Sequence, residues 1–202
     1  MFATLPAGTR FQKVLVTQAH FLYIITALLK TGSYSDLHNI FFSHYLRPQT
    51  ERYGEETFDR FDRFYAHSDI LNDVLAPEGR RLYSPAAELI KRQAQREDLP
   101  LAEILQADLL ILLLAFIMPD TRWFPQILYY ASYGNEFSFF IRAAQHKNFK
   151  KLAIITGIDN ADTLRSAVKE GFTRLQVVQW HGFHFEKNFW KMMNMDKLDT
   201  IQ

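Results

Sequence analysis

The chain has 202 residues, of which 48% are hydrophobic and 15% aromatic, with Phe at 18 copies the commonest aromatic; this suits one domain around a bulky core and excludes a disordered chain. Its 23 Lys and Arg against 22 Asp and Glu leave a formal charge of +1, which rules out nucleic-acid binding by overall charge though not by a local patch. Cysteine is absent, so disulfides, thiolate metal sites and cysteine nucleophiles are excluded; with no basic, apolar leader at Met1–Thr9, the expected location is the cytoplasm.

The first predicted helix is Phe11–Lys30, in which Phe11, Leu15, Leu22, Ile25 and Leu29 keep helical spacing and Gly32 ends the run. Ser33-Tyr34-Ser35-Asp36 resembles a capping box opening a second helix to about Leu46, before Pro48. In Glu55–Leu75 the residues Phe58, Phe61 and Tyr65 form one stripe, while Glu56–Arg60 and Asp59–Arg63 are acid-first pairs four apart. Ser84-Pro85 caps a helix over Ala86–Arg96, and Pro100 opens Leu101–Met118, which Pro119 closes. The apolar run Leu109–Met118 is about half of the roughly 20 residues a membrane span needs, and reads as a central helix buried on all sides.

Arg122–Tyr133 has no clean period, whereas Asn135–Thr156 reads as helix with a possible break near His146. Gly157-Ile158 has the form of a left-handed cap with an apolar follower, and Asp159 to Asp162 starts a helix over Asn160–Glu170 that Gly171 ends. Arg174–Phe185 is the one stretch with strand character, through Val177, Val178, Trp180, Phe183 and Phe185. The expected fold is therefore all-α or mostly α: a single-domain multi-helix bundle over residues 1–202 with one small β element near 174–185.

No dinucleotide or P-loop glycine pattern, HExxH, EF-hand loop or GxSxG elbow occurs. Among positive features, Arg142, His146 and Lys150 stand four apart with Lys147 and Lys151 beside them, a cationic row on one helical face. Such a row costs a few tenths of a kcal/mol per like-charge pair unless an anionic partner, or solvent and a nearby Glu, offsets it. Arg165 and Arg174 are candidates to extend it. The loop Asp120–Pro125 carries Arg122 and Trp123, which either recognise a partner or fold over the end of the preceding helix.

His181 and His184 would share a face on a helix but point to opposite sides of a strand, so the strand reading argues against a metal site. His38 and His44 lie about 120° apart around a helix and do not share an ion. The acids Glu55, Glu56, Asp59 and Asp62 are interleaved with Arg52, Arg60 and Arg63, which neutralise them in place. Arg60 and His67 have a spacing similar to the Arg/His pair of the helical HEPN ribonucleases, which implies metal-independent cleavage of a phosphodiester. Phe61 stands where that family prefers a polar residue, and Glu56 offers Arg60 an ion pair, so a salt-bridged helix is the favoured account.

The expected function is a non-enzymatic binding protein, self-associating or engaging a protein partner, with nucleic acid as a further candidate, no cofactor and no membrane. Its surface would be Arg142, His146, Lys147, Lys150 and Lys151 with Arg122 and Trp123. The alternatives are an Arg/His phosphoryl-acting enzyme, through Arg60 and His67 or Arg142 and His146, and a helical pocket for an apolar or planar ligand.

Overall fold

A computed structural model describes residues 7–46, 58–64, 85–94, 97–125, 127, 137–175 and 185–202. The fold is mostly α. The elements are α1 (Ala7–Thr31), α2 (Tyr34–Phe42), a two-stranded antiparallel sheet of β1 (Tyr45–Leu46) and β2 (Phe58–Asp59), and a 3-10 turn at Phe61–Phe64. There follow α3 (Pro85–Gln93), α4 (Leu101–Ile117), α5 (Ser138–Arg142), α6 (His146–Thr156), α7 (Ala161–Leu175), α8 (Phe185–Met192) and a last 3-10 turn at Met195–Lys197.

Helix α4 is the centre. Every residue from Ala107 to Phe116 is buried, as the apolar run from Leu109 onward demands, and the burial takes in the acid Asp108. Lys30, near the end of α1, pairs with Glu103 in the first turn of α4 at 3.2 Å, bringing the end of α1 to the start of α4. Among the described residues no helix is long and apolar enough to cross a membrane.

Two aromatic clusters flank this helix. Phe21, Phe41, Phe61, Phe64 and Trp123 form one, with Phe21 stacked on Phe64 at 4.6 Å and Phe41 edge-on to Phe61 at 5.2 Å. Phe116, Phe172 and Phe189 form the other, joining α4, α7 and α8 at centroid distances of 4.3 to 5.4 Å. Each fully buried Phe removes enough apolar surface to contribute about 1.5–3 kcal/mol.

The predicted stops at Gly32 and Gly157 are present. Gly32 has φ +76°, and the bonds from Ser33 N to Leu28 O (2.9 Å) and from Gly32 N to Leu29 O (3.3 Å) close a Schellman turn. Gly157 has φ +71°, and its N–H donates to Ala153 O at 2.8 Å. Asn160 caps α7, its Oδ1 accepting from the N–H groups of Asp162 and Thr163, both at 2.9 Å. Ser33 makes no side-chain cap bond on α2; its hydroxyl pairs instead with that of Thr31 at 3.1 Å.

Other expectations are corrected. The sheet lies at residues 45–46 and 58–59, whereas Arg174 and Leu175 belong to α7 and Phe185 opens α8; residues 176–184 lie outside the described set. The helix expected across Glu55–Leu75 is absent at 58–64, where strand and 3-10 turn stand in its place. Gly171 does not end α7 but lies inside it. A Cβ there would come within 2.6 Å of Phe116 Cβ and closer still to the Phe116 carbonyl oxygen, so this glycine lets α7 touch the backbone of α4. One turn later Arg174 Nη2 donates to the carbonyls of Ala115, Phe116 and Met118 at 2.8–2.9 Å, capping the end of α4.

Candidate functional site

The cationic row predicted across 142–151 is divided by a break. Helix α5 stops at Arg142 and α6 starts at His146, and the C-terminal residues Asp199–Ile201 pair with the backbone between them. Ala143 O accepts from Asp199 N and Ala144 O from Ile201 N, both at 2.9 Å, while His146 N donates to Ile201 O at 2.8 Å. Backbone carbonyls freed by the break are thus satisfied by the tail. Arg165 holds that tail in turn: Nε donates to Met195 O at 2.7 Å and Nη2 to Leu198 O at 2.8 Å, with Asp162 as its counter-ion at 2.6 Å. Arg165 and Arg174 are thus both turned to backbone carbonyls and away from the row.

The row therefore separates into residues with different fates. His146 Nδ1 lies 2.7 Å from Asp199 Oδ1, so one ring nitrogen is engaged by the tail. Lys147 and Lys150 are exposed on α6. Arg142 and Lys151 line one cleft of about 200 Å³ between the end of α1 and the starts of α4 and α2, with Lys30, Tyr34, Glu103 and Phe139. Lys151 Nζ is held by Asn148 Oδ1 at 2.9 Å and sits 6.0 Å from the centre of the Tyr34 ring. Arg142 has no ion-pair partner among the described residues.

Arg142 also lines a second, larger depression of about 930 Å³ between α5, α8 and the C-terminal residues. Its apolar lining includes Ile141 and Ile201, 38% and 54% exposed, together with the half-buried Trp190 and Met192. Its cations are Arg142, Lys187, Lys191 and Lys197, all exposed. The acid in the lining, Asp196, accepts a 2.6 Å bond from Trp190 Nε1, and Lys169 Nζ lies 5.4 Å from the centre of that indole. Sequence spacing gave no sign of this groove, because Lys187 and Lys191 follow a stretch read as strand. An amphipathic reading of Phe185–Met192 would have found them.

The loop bearing Arg122 and Trp123 folds inward. Trp123 is buried, donating from Nε1 to Asp108 Oδ1 at 2.6 Å, so its ring belongs to the core and not to a recognition surface. Arg122 is exposed beside Asp62, whose carboxyl is raised by burial more than the backbone N–H groups and Arg122 lower it. Asp108 itself was not singled out by any motif. It is the buried acid of α4; Ile127 N also donates to it, at 3.3 Å, and burial pushes its carboxyl up to about 7.

Of the remaining candidates, Arg60 lies between β2 and the 3-10 turn, not on a helix, and His67 lies outside the described residues. His181 and His184 lie outside them too, and among the described residues no group of three or more His, Asp or Glu could hold a metal ion. His38 makes a polar contact through Nδ1 to Ile155 O at 3.1 Å and stacks on Phe42 at 4.3 Å. The carbonyl can only accept, so Nδ1 carries the proton. No family model matches this chain, and neither does any curated protein or solved structure.

Proposed function

We propose that this chain is a non-enzymatic binding protein that takes an acidic, partly apolar segment of a protein partner into the groove between α5 and α8. The observation that carries the reading is the pairing, in one concave surface, of exposed Ile141 and Ile201 with four cations that have no ion-pair partner among the described residues. Four cations against Asp196 leave the lining at a net +3, and a segment of opposite sign would gain both steering and desolvated contact. A peptide that alternates acid and apolar side chains along one face satisfies both demands.

The same charge argues against an isologous dimer through this groove. Two-fold pairing would set one set of cations against its copy. Nucleic acid fits less well, because the Trp190 indole is half-buried and Lys169 Nζ lies 5.4 Å from its ring centre, which leaves less of its surface for base stacking.

The test is fluorescence anisotropy with a short labelled peptide of alternating Glu and Leu. Saturable binding is expected, weakened at least about tenfold, or about 1.4 kcal/mol, by Lys187→Glu with Lys191→Glu. A labelled single-stranded oligonucleotide that binds more tightly than the peptide, or a sedimenting dimer dissociated by the same pair, would replace this reading.

A further inference from the structure

We infer that the cleft on the other side of Arg142 is a separate site for a small, doubly charged oxyanion of the phosphate class, and that it competes with the groove for the Arg142 guanidinium. Three cations, Lys30, Arg142 and Lys151, line this cleft against one acid, Glu103, which already pairs with Lys30. The residual charge is +2, matching a dianion.

Lys151 and Lys30 are held in place by neutral acceptors, and Lys30 also by Glu103. Gln145 Oε1 accepts from Asn148 Nδ2 at 2.9 Å, and Asn148 Oδ1 accepts from Lys151 Nζ at 2.9 Å, so a relay of amides fixes the ammonium. Lys30 Nζ donates to Asp98 O at 2.9 Å. The hydroxyls of Tyr34 and Ser138, also in the lining, have no partner among the described residues and supply neutral donors. Charge-assisted bonds from fixed cations are about twice as strong as neutral ones, and a preformed site loses less entropy on binding.

Size selects the ligand. About 200 Å³ is below the roughly 300–1,000 Å³ of pockets that hold drug-sized molecules, so the cleft takes a phosphate or the phosphate end of a larger molecule. Arg142 lines both cavities. A ligand that engages its guanidinium from the cleft withdraws charge from the groove, and the effect is reciprocal by linkage.

The experiment is a calorimetric titration of the whole chain with inorganic phosphate, against sodium chloride at matched ionic strength. Saturable binding is expected, weakened about tenfold by Arg142→Gln and by Lys151→Gln, the scale of one charge-assisted bond, and unchanged by Lys150→Gln; circular dichroism checks that each variant is folded. Absence of saturable binding, equal binding of chloride, or equal loss in Lys150→Gln overturns the site. Glycerol phosphate in solution and vesicles containing phosphatidic acid distinguish a free phosphate from a lipid headgroup, and binding of either that is lost in Lys151→Gln supports the site. Phosphate should weaken the Glu/Leu peptide in the parent chain and not in Lys151→Gln; no competition in the parent overturns the sharing of Arg142. If that peptide does not bind at all, the phosphate titrations still decide the cleft.

Discussion

Replacing Asp108 by Asn removes a carboxyl that α4 keeps wholly buried, accepting from Trp123 Nε1 at 2.6 Å and Ile127 N at 3.3 Å. Burial raises this group from 3.8 to about 7 in the folded chain. The folded state therefore holds the proton more tightly than the unfolded state, and folding stability must fall as pH rises between those two values, levelling off above about 7. The displacement from 3.8 to about 7 corresponds to about 4 kcal/mol, a large part of the roughly 5–15 kcal/mol of a typical domain.

In Asp108→Asn that loss disappears. The amide presents a donor where the acid accepted from Ile127, which costs about 1–3 kcal/mol at low pH. The parent chain is thus expected to be the more stable at about pH 4, near the unfolded value, and the variant the more stable at about pH 8. Urea midpoints of both chains across that range measure the crossing. A constant difference between the two profiles would refute the buried, proton-holding carboxyl.

Two core substitutions test the packing. Gly171→Ala drives a methyl into the Phe116 backbone, so a loss of about 1–3 kcal/mol or more is expected in thermal or urea unfolding; a neutral result would mean that α7 and α4 are further apart. Gln18 is buried with neither side-chain polar atom bonded among the described residues. Gln18→Leu should accordingly raise stability by about 1–3 kcal/mol, and a destabilised variant would reveal a partner for the amide.

Local signals that act through the backbone were legible, and those that depend on a distant partner were not. Gly32 and Gly157 end helices because each follows a periodic run and adopts positive φ, a conformation that excludes most other residues. Gly171 carries the same letter for another reason, the nearness of Phe116, which no local pattern encodes. The row from Arg142 to Lys151 rests on unbroken helical spacing; a break near His146 is legible locally, but its partners Asp199 and Ile201, far along the chain, are not. Strand character around Val177 likewise could not foresee that α8 would place Lys187 and Lys191 beside Arg142.

Charge alone picks out Arg142, Arg165 and Arg174 equally, yet their availability differs completely. Arg174 lies against the open carbonyls at the end of α4, and Arg165 against those of the C-terminal turn. Arg174 shares Nη2 among three carbonyls, and Arg165 gives Nε and Nη2 to two carbonyls and Nη1 to Asp162, so both are anchored to backbone, and neither lines the cavities that Arg142 lines. Arg142 ends a helix whose last carbonyls are taken by the tail and by its own turn, with Asp199 N on Ala143 O and Gln145 N on Arg142 O. Its guanidinium is left at the boundary of two cavities. What makes Arg142 a binding residue is thus a backbone arrangement made by the last residues of the chain. Cutting the chain after Leu198 should free Ala143 O and Ala144 O and weaken phosphate binding, although the deleted residues do not line that cleft.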